Sequence, residues 1–346
     1  MATRRDVLKG AAAATALGLG ATRIARAADG PLKIRMGWAN MPGHLIPVLY
    51  LNPDQYGLKH YGKSYTVEPI RFRGSSPQIA ALASKEIDFA AFGALVVSLS
   101  VTNARLDTKA VADIIEDGLP NSHSETFCVK ADGPIKTVED LKGKRIATNA
   151  LGSASDTAIR AMLDKSGLDP KRDGITFVEA SFPNIPSMIE EGKVDLGTVI
   201  QPFSQQGIDA GKLKTLFTSK DAIGPSQLVT LCSTGPYLDA NRDQLMDFFE
   251  DHVRAVRWFT NPDNHAEAVK IIAEFMQQPA EGLQYLFTDA DYYRDPYMVP
   301  NLDALQKGID LSIKMGLAPN GIQIQPDHAD LSFVEEAKRR IEADKA

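Results

Sequence analysis

The chain has 346 residues, 44% of them hydrophobic and 24% charged, with a formal net charge of -6. This is ordinary globular composition, enough for two compact domains, and it excludes an intrinsically disordered chain. Cys128 and Cys232 are the only cysteines and form no CxxC, which excludes a zinc ribbon or an iron–sulfur cluster built on thiolates.

Residues 1–27 have the layout of an export signal. Thr3, Arg4, Arg5, Asp6, Val7, Leu8 and Lys9 resemble the twin-arginine signal, an alanine-rich run follows over 10–21, and Ala25-Arg26-Ala27 is a small-x-small cleavage site before Ala28. The competing reading is a frayed, alanine-rich helix. Removal of 1–27 takes away Arg4, Arg5, Lys9, Arg23, Arg26 and the opposing Asp6, so the mature chain stands at -10. A chain this acidic, with no basic cluster, is a poor partner for nucleic acid. The longest later apolar stretch, 90–101, is broken by Gly93, Ser98 and Ser100 and falls short of the roughly 18 residues that span a bilayer. The expected location is the periplasm.

Residues 33–38 (KIRMGW) alternate as a strand, and a loop with Gly43 and His44 leads into an apolar segment at 45–51. Residues 66–72 predict a second strand, Arg73-Gly74-Ser75-Ser76 a turn, 77–84 a helix and 87–92 a third strand. A helix joining two strands through a small polar turn is a βαβ unit and implies parallel pairing. The pattern recurs: QIAALASKEIDFAAFG at 78–93 and IPSMIEEGKVDLGTVI at 185–200 align Leu82 with Ile189, Lys85 with Gly192, Ile87 with Val194, Asp88 with Asp195 and Phe89 with Leu196. Each reads as a helix with one apolar side, a turn, and a strand headed by hydrophobic-Asp-hydrophobic. Either so degenerate a match is chance, or the chain holds two similar α/β lobes. Between them, NALGSASDTAIRAML at 149–163 is a small polar turn running into an amphipathic helix, whose first N–H groups lack intrahelical partners and can receive an anion. Asn241 suits the N-cap of a helix reaching 259, and 263–277 predicts another; Leu245, Phe248, Phe249, Val253, Val256 and Trp258 read as core.

Asp140-Leu141-Lys142-Gly143-Lys144, followed by a strand and the Gly152 turn, resembles the second lobe of periplasmic solute-binding proteins of ABC importers, in the nitrate, sulfonate, taurine and pyrimidine-precursor-like group. That family's aG-x-[IV]-D pattern occurs at 84–88, with Lys85 in place of glycine, and at 191–195, with Gly192 kept. Tyr292-Tyr293-Arg294-Asp295-Pro296, residues 302–310, Met315-Gly316-Leu317 and Asp330-Leu331-Ser332-Phe333 follow its C-terminal order. The resemblance implies an α/β, two-lobed, type II-like binding-protein fold, each lobe a mostly parallel sheet flanked by helices, with the ligand cleft between the lobes. It places the crossings near 130–134 and 233–236, so that 31–130 with 234–346 form lobe 1 and 131–233 lobe 2. Cys128 and Cys232 would then lie near the crossing strands, as two buried thiols or as a disulfide.

In open α/β sheets, ligands sit beyond the carboxyl ends of the strands, which nominates five loops. They carry Trp38 and His44; Arg73, Ser75 and Ser76; Gly93 and Ala94; Gly152, Ser153, Ala154 and Ser155; and Gln201 and Phe203. Small residues at helix starts let an anion approach backbone N–H groups, and serine hydroxyls add donors. Each has a structural alternative: Ser75 and Ser153 suit helix caps, His44 a satisfied loop position, Trp38 and Phe203 a core. Arg73 fits either a bidentate carboxylate clamp or solvated surface. Trp38, Phe92 and Phe203 would wall the ligand.

The expected function is non-catalytic capture of a small anionic organic solute, a sulfonate or carboxylate with an aromatic body in range, and its delivery to the membrane subunits of an ABC permease. A monomer without cofactor or metal is expected. GxSxG, SxxK and HExxH are absent, and His44, His60, His123, His252, His265 and His328 show no metal spacing. The alternatives are an exported enzyme acting on a small organic acid through Asp or Glu, and a sensor lobe read by a receptor.

Overall fold

The computed structural model describes residues 30–344, and the expected export signal at 1–27 lies outside the described residues. Strands β1 (Leu32–Trp38) and β2 (Tyr65–Arg71) pair in parallel, from Leu32↔Tyr65 to Trp38↔Arg71. Helix α1 (Gln78–Ala83) returns the chain to β3 (Ala90–Phe92), which joins β1 through the parallel bridge Met36↔Phe89. Helix α2 (Ala94–Thr102) and β4 (Thr108–Asp117) follow. The second sheet is built from β5 (Thr126–Lys130), β6 (Arg145–Thr148), β7 (Thr176–Glu179), β8 (Leu196–Val199) and β9 (Leu213–Thr218). Around it lie α3 (Ala154–Lys165), α4 (Ile185–Glu190), α5 (Phe203–Asp209) and α6 (Ser219–Ile223). Strand β10 (Ser226–Thr234) returns to the first sheet. It leads into α7 (Gly235–Ala240), α8 (Arg242–Thr260), α9 (His265–Met276), α10 (Leu302–Lys314) and α11 (Ser332–Ala343).

Both sheets have one topology. The first runs β2-β1-β3-β10-β4 and the second β7-β6-β8-β5-β9. In each, four strands share a direction, and the strand in fourth place, β10 or β5, runs against both its neighbours. That strand is the one the chain forms on arriving from the other lobe. The crossings therefore lie at 118–125 and 219–225, one strand earlier than the resemblance placed them. The expected boundaries left β5 and β10 in the lobes they depart, because a short apolar strand carries no mark of the sheet it enters.

The repeated pattern forms two equivalent corners. Asp88 Oδ2 accepts from the Arg35 N–H at 2.8 Å, and Asp195 Oδ2 from the Arg145 N–H at 2.9 Å. Each arginine also donates to the turn before the aspartate, Arg35 Nη1 to Lys85 O at 2.5 Å and Arg145 Nη2 to Gly192 O at 2.6 Å. The aspartate thus pins the head of β3 or β8 to β1 or β6. The turn needs a left-handed residue: φ is 59° at Lys85 and 67° at Gly192, so glycine fits the second corner freely and lysine strains the first.

Leu245, Phe248, Phe249, Val253 and Val256 of α8 are buried with Phe89 and Tyr65, and Trp258 packs half-buried at the edge. Phe92 is core rather than a cleft wall: it is fully buried with Val96, Val97 and Cys232. The disulfide is not formed. Cys128 lies on β5 among Phe182, Ile185 and Ile189, whereas Cys232 lies on β10 in the first sheet, and both are free, buried thiols. Burial pushes both thiols up, which keeps them protonated and inert. Among the described residues, no helix is long and apolar enough to cross a membrane.

Candidate functional site

A cleft lies between the lobes and has two adjoining parts. Its mouth is a cavity of about 640 Å³ walled by Trp38, Phe72, Phe182, Phe203 and Phe275, with Arg71 and Arg73 as the only charged residues among the described ones that line it. This volume is in the range of a small-molecule site. Trp38 ends β1, where it meets the Phe275 ring edge-on at 6.3 Å and carries the Arg71 guanidinium 5.5 Å above its ring. Of the expected residues, Trp38, Arg73 and Phe203 belong to this mouth.

Below the mouth is a pit of about 30 Å³ that shares Ala39, Asn40 and Phe182 with it. Of the expected residues, His44, Ser75, Ser153, Ala154 and Ser155 line the pit, beside Glu125, Asn149 and Tyr292. The loop bearing His44 is held from the C-terminal half: Arg294, paired with Asp291 at 2.8 Å, donates to the carbonyls of Pro42 and Gly43. Burial, helped by the Arg294 charge, lowers His44 to about 3. Its neutral ring accepts the Ala39 N–H at Nδ1, so Nε2 carries the proton.

The α3 turn works differently from the anion seat it suggests in sequence. The Leu151 N–H donates to Glu179 Oε1, the Gly152 N–H to Asp156 Oδ2, and Ser153 Oγ accepts from the Asp156 N–H while donating to Asn149 Oδ1. Its donors are largely committed within the turn. Ser153 is the N-cap of α3, and Asp156 anchors the first turn and pairs with Arg160 at 2.9 Å.

The two turns expected to grip a ligand grip each other. Ser76 Oγ donates to Leu151 O at 2.8 Å, and Asn149 Nδ2 donates to Arg73 O at 3.1 Å. A Cβ placed on Gly93 would come within 2.9 Å of the Ala154 Cβ, so glycine is what lets the lobes approach there. Ser76, Gly93 and Gly152 therefore lie at the lobe contact and off the cavity wall. Ala94 packs toward Gly308 of α10, and Gln201 sits in the turn before α5 with Oε1 buried and unpartnered.

Glu125, Phe182, Phe275 and Tyr292 carry no sequence signal of a site. Phe182 follows β7, so the strand-end rule finds it once that short strand is known. Glu125 sits in the first crossing, where its buried carboxyl is pushed up to about 8 by burial and by the charge of Asp117, against the hydrogen bond from Ser155. Among the described residues, no group of three or more His, Cys, Asp or Glu side chains is placed to hold a metal.

Two sheets of identical topology, each entered through its antiparallel strand and facing a shared cleft, define the fold of the periplasmic binding proteins. The structure is similar to the alkanesulfonate-binding protein SsuA from Xanthomonas axonopodis pv. citri bound to MOPS, at 20% identity and TM-score 0.67, covering 88% of this chain and 100% of that one. It is likewise similar to the aliphatic sulphonate-binding protein SsuA from Escherichia coli, at 20% identity and TM-score 0.65 over 87% of this chain and 93% of that one. The nitrate-binding protein NrtA from Synechocystis PCC 6803 matches at 14% identity and TM-score 0.68 over 91% of both chains. The model of the NMT1-like family matches residues 28–273, and the chain belongs to that family. No protein of curated function matches the sequence.

Proposed function

We propose that this protein is a non-catalytic periplasmic solute-binding protein, exported through its twin-arginine-type signal, that closes on a small anionic organic solute and delivers it to an ABC-type permease. One observation carries the reading: among the described residues, those lining the 640 Å³ mouth include two arginines, no carboxylate and five aromatic rings. A sulfonate or carboxylate is held by the guanidiniums, with Arg73 available for bidentate contact, and the solute's body lies among Trp38, Phe182, Phe203 and Phe275. A cavity of this size favours an organic body over a bare inorganic anion. The likeness to sulfonate-binding and nitrate-binding proteins supports an anion as the recognised group. The protein acts as a monomer, with the closed lobe contact as the form a permease reads.

A thermal-shift screen against sulfonates, aromatic and aliphatic carboxylates and phosphates tests this. A genuine ligand at 100 times its Kd adds about 2.7 kcal/mol of stability. Arg73→Ala should weaken such a ligand by at least about 10-fold, through the loss of its charge-assisted hydrogen bonds to the anion. A stabilising compound that is consumed during incubation would make the protein an enzyme instead.

A further inference from the structure

One side chain of the second lobe reaches across the cleft to the backbone of Arg73. Asn149 follows β6, is 4% exposed, and its Nδ2 donates at 3.1 Å to the main-chain carbonyl of Arg73 in the first lobe. The other end of the amide is fixed within its own lobe: Oδ1 accepts from Ser153 Oγ at 2.9 Å, which turns Nδ2 toward Arg73. Gly74 makes the approach possible, because a Cβ there would stand 2.6 Å from Asn149 Nδ2. Arg73 is exposed, and no carboxylate lines the mouth beside it among the described residues. A long side chain on a polar turn loses backbone and rotamer freedom when it takes a ligand, and a contact that fixes its main chain beforehand lowers that cost. Within its own lobe the turn is tied one residue further on, where Gln78 Nε2 donates to Gly74 O at 3.0 Å, and this leaves the Arg73 carbonyl to Asn149.

We propose that Asn149 is a positioning residue for anion capture: on closure its amide fixes the Arg73 main chain, so that the guanidinium is set for the anion only in the closed form, and a bound anion in turn favours closure. Coupling of this kind is reciprocal. The inference rests on the reading that Arg73 takes the anion. A second bond between the lobes, from Ser76 Oγ to Leu151 O at 2.8 Å, joins the same two turns without touching Arg73. Loss of either bond loosens closure, but only the loss of the Asn149 bond acts through Arg73.

Calorimetric titration of the full chain with 4-methylbenzenesulfonate tests this as a double-mutant cycle, with Asn149→Ala and Ser76→Ala each made alone and together with Arg73→Ala. The expected result is that Asn149→Ala weakens the sulfonate at least about 5-fold in the parent chain and less than about 2-fold in the Arg73→Ala background, whereas Ser76→Ala costs the same factor in both. Gly74→Ala, which displaces the Asn149 amide from the facing lobe, should reproduce both the loss and its dependence on Arg73, and it decides the matter if Asn149→Ala folds poorly. Parent-like binding by Asn149→Ala, a loss undiminished in the Arg73→Ala background, or an equal dependence on Arg73 in Ser76→Ala overturns the inference. If Arg73→Ala alone leaves the affinity unchanged, the reading that Arg73 takes the anion falls with it. If Arg73→Ala weakens binding and Asn149→Ala does not, the inference alone falls. A parent chain that does not bind the sulfonate overturns both.

Discussion

Glu125 and the buried histidines give this protein an unusual dependence on pH. Burial raises Glu125 to about 8, Asp113 to about 7 and Asp117 to about 6, and lowers His44 and His252 to about 3 and His123 to about 4. A carboxyl raised on folding contributes stability that is complete below its unfolded value and is lost as pH rises through its folded one. A histidine lowered on folding works the other way, adding stability as pH climbs toward about 6.5. Below that point the two sets oppose; above it the histidines are finished, and Glu125 with Asp113 pull stability down. Ionising Glu125 between about pH 6.5 and 8 costs on the order of 2 kcal/mol. The melting temperature of the ligand-free protein should therefore fall by a few degrees from pH 6.5 to 8.5, and the fall should be clearly shallower in Glu125→Gln. An identical fall in that variant would show that Glu125 ionises without cost. Lys85 is a second residue whose behaviour is set by its environment, here its left-handed backbone at φ 59°. Lys85→Gly should stabilise the chain by about 1 kcal/mol in chemical denaturation, since the lost Cβ relieves strain that Gly192 avoids in the other lobe.

At the scale of elements, the turns before α2 and α3 bring the two lobes into contact. The Gly93 contact with Ala154 is made through carbon atoms on two helix starts, neither of which swings away easily. Gly93→Ala should hold the lobes apart and weaken solute binding at least 10-fold, while the melting temperature of the ligand-free protein stays within about 2 °C, which titration and scanning calorimetry together would check. Unchanged affinity would mean that the lobes close without this contact. The same elements show what the sequence made legible. Asp88 and Asp195 sit in a shared pattern because each ties two strands together, so the two-lobed α/β plan could be read from one helix, turn and strand repeated. The loops after β1 and β2 were visible as small, polar breaks, and they do supply Trp38, His44, Arg73 and Ser75 to the cleft. The roles within those loops were not visible. The 151–155 turn has the composition of an anion seat, yet Asp156 and Glu179 occupy its donors, and only contacts distant in sequence decide that.

At the scale of the whole molecule, the cleft is assembled from segments near 40, 73, 125, 153, 182, 203, 275 and 292, and no local pattern announces their meeting. Glu125 is brought there by the first lobe crossing and Tyr292 by the same C-terminal segment through which Arg294 braces the His44 loop. The result is a clamp with a positive, aromatic mouth and an acidic pit. The central claim of the proposed function is recognition of an anion without chemistry. The most direct measurement is a calorimetric titration of the full chain with 4-methylbenzenesulfonate and with methyl 4-methylphenyl sulfone, its uncharged analogue of similar shape, followed by recovery of both compounds. The expected result is that the sulfonate binds at least 10-fold tighter than the sulfone and is recovered unchanged. Equal binding of the two, or conversion of either, would contradict the account.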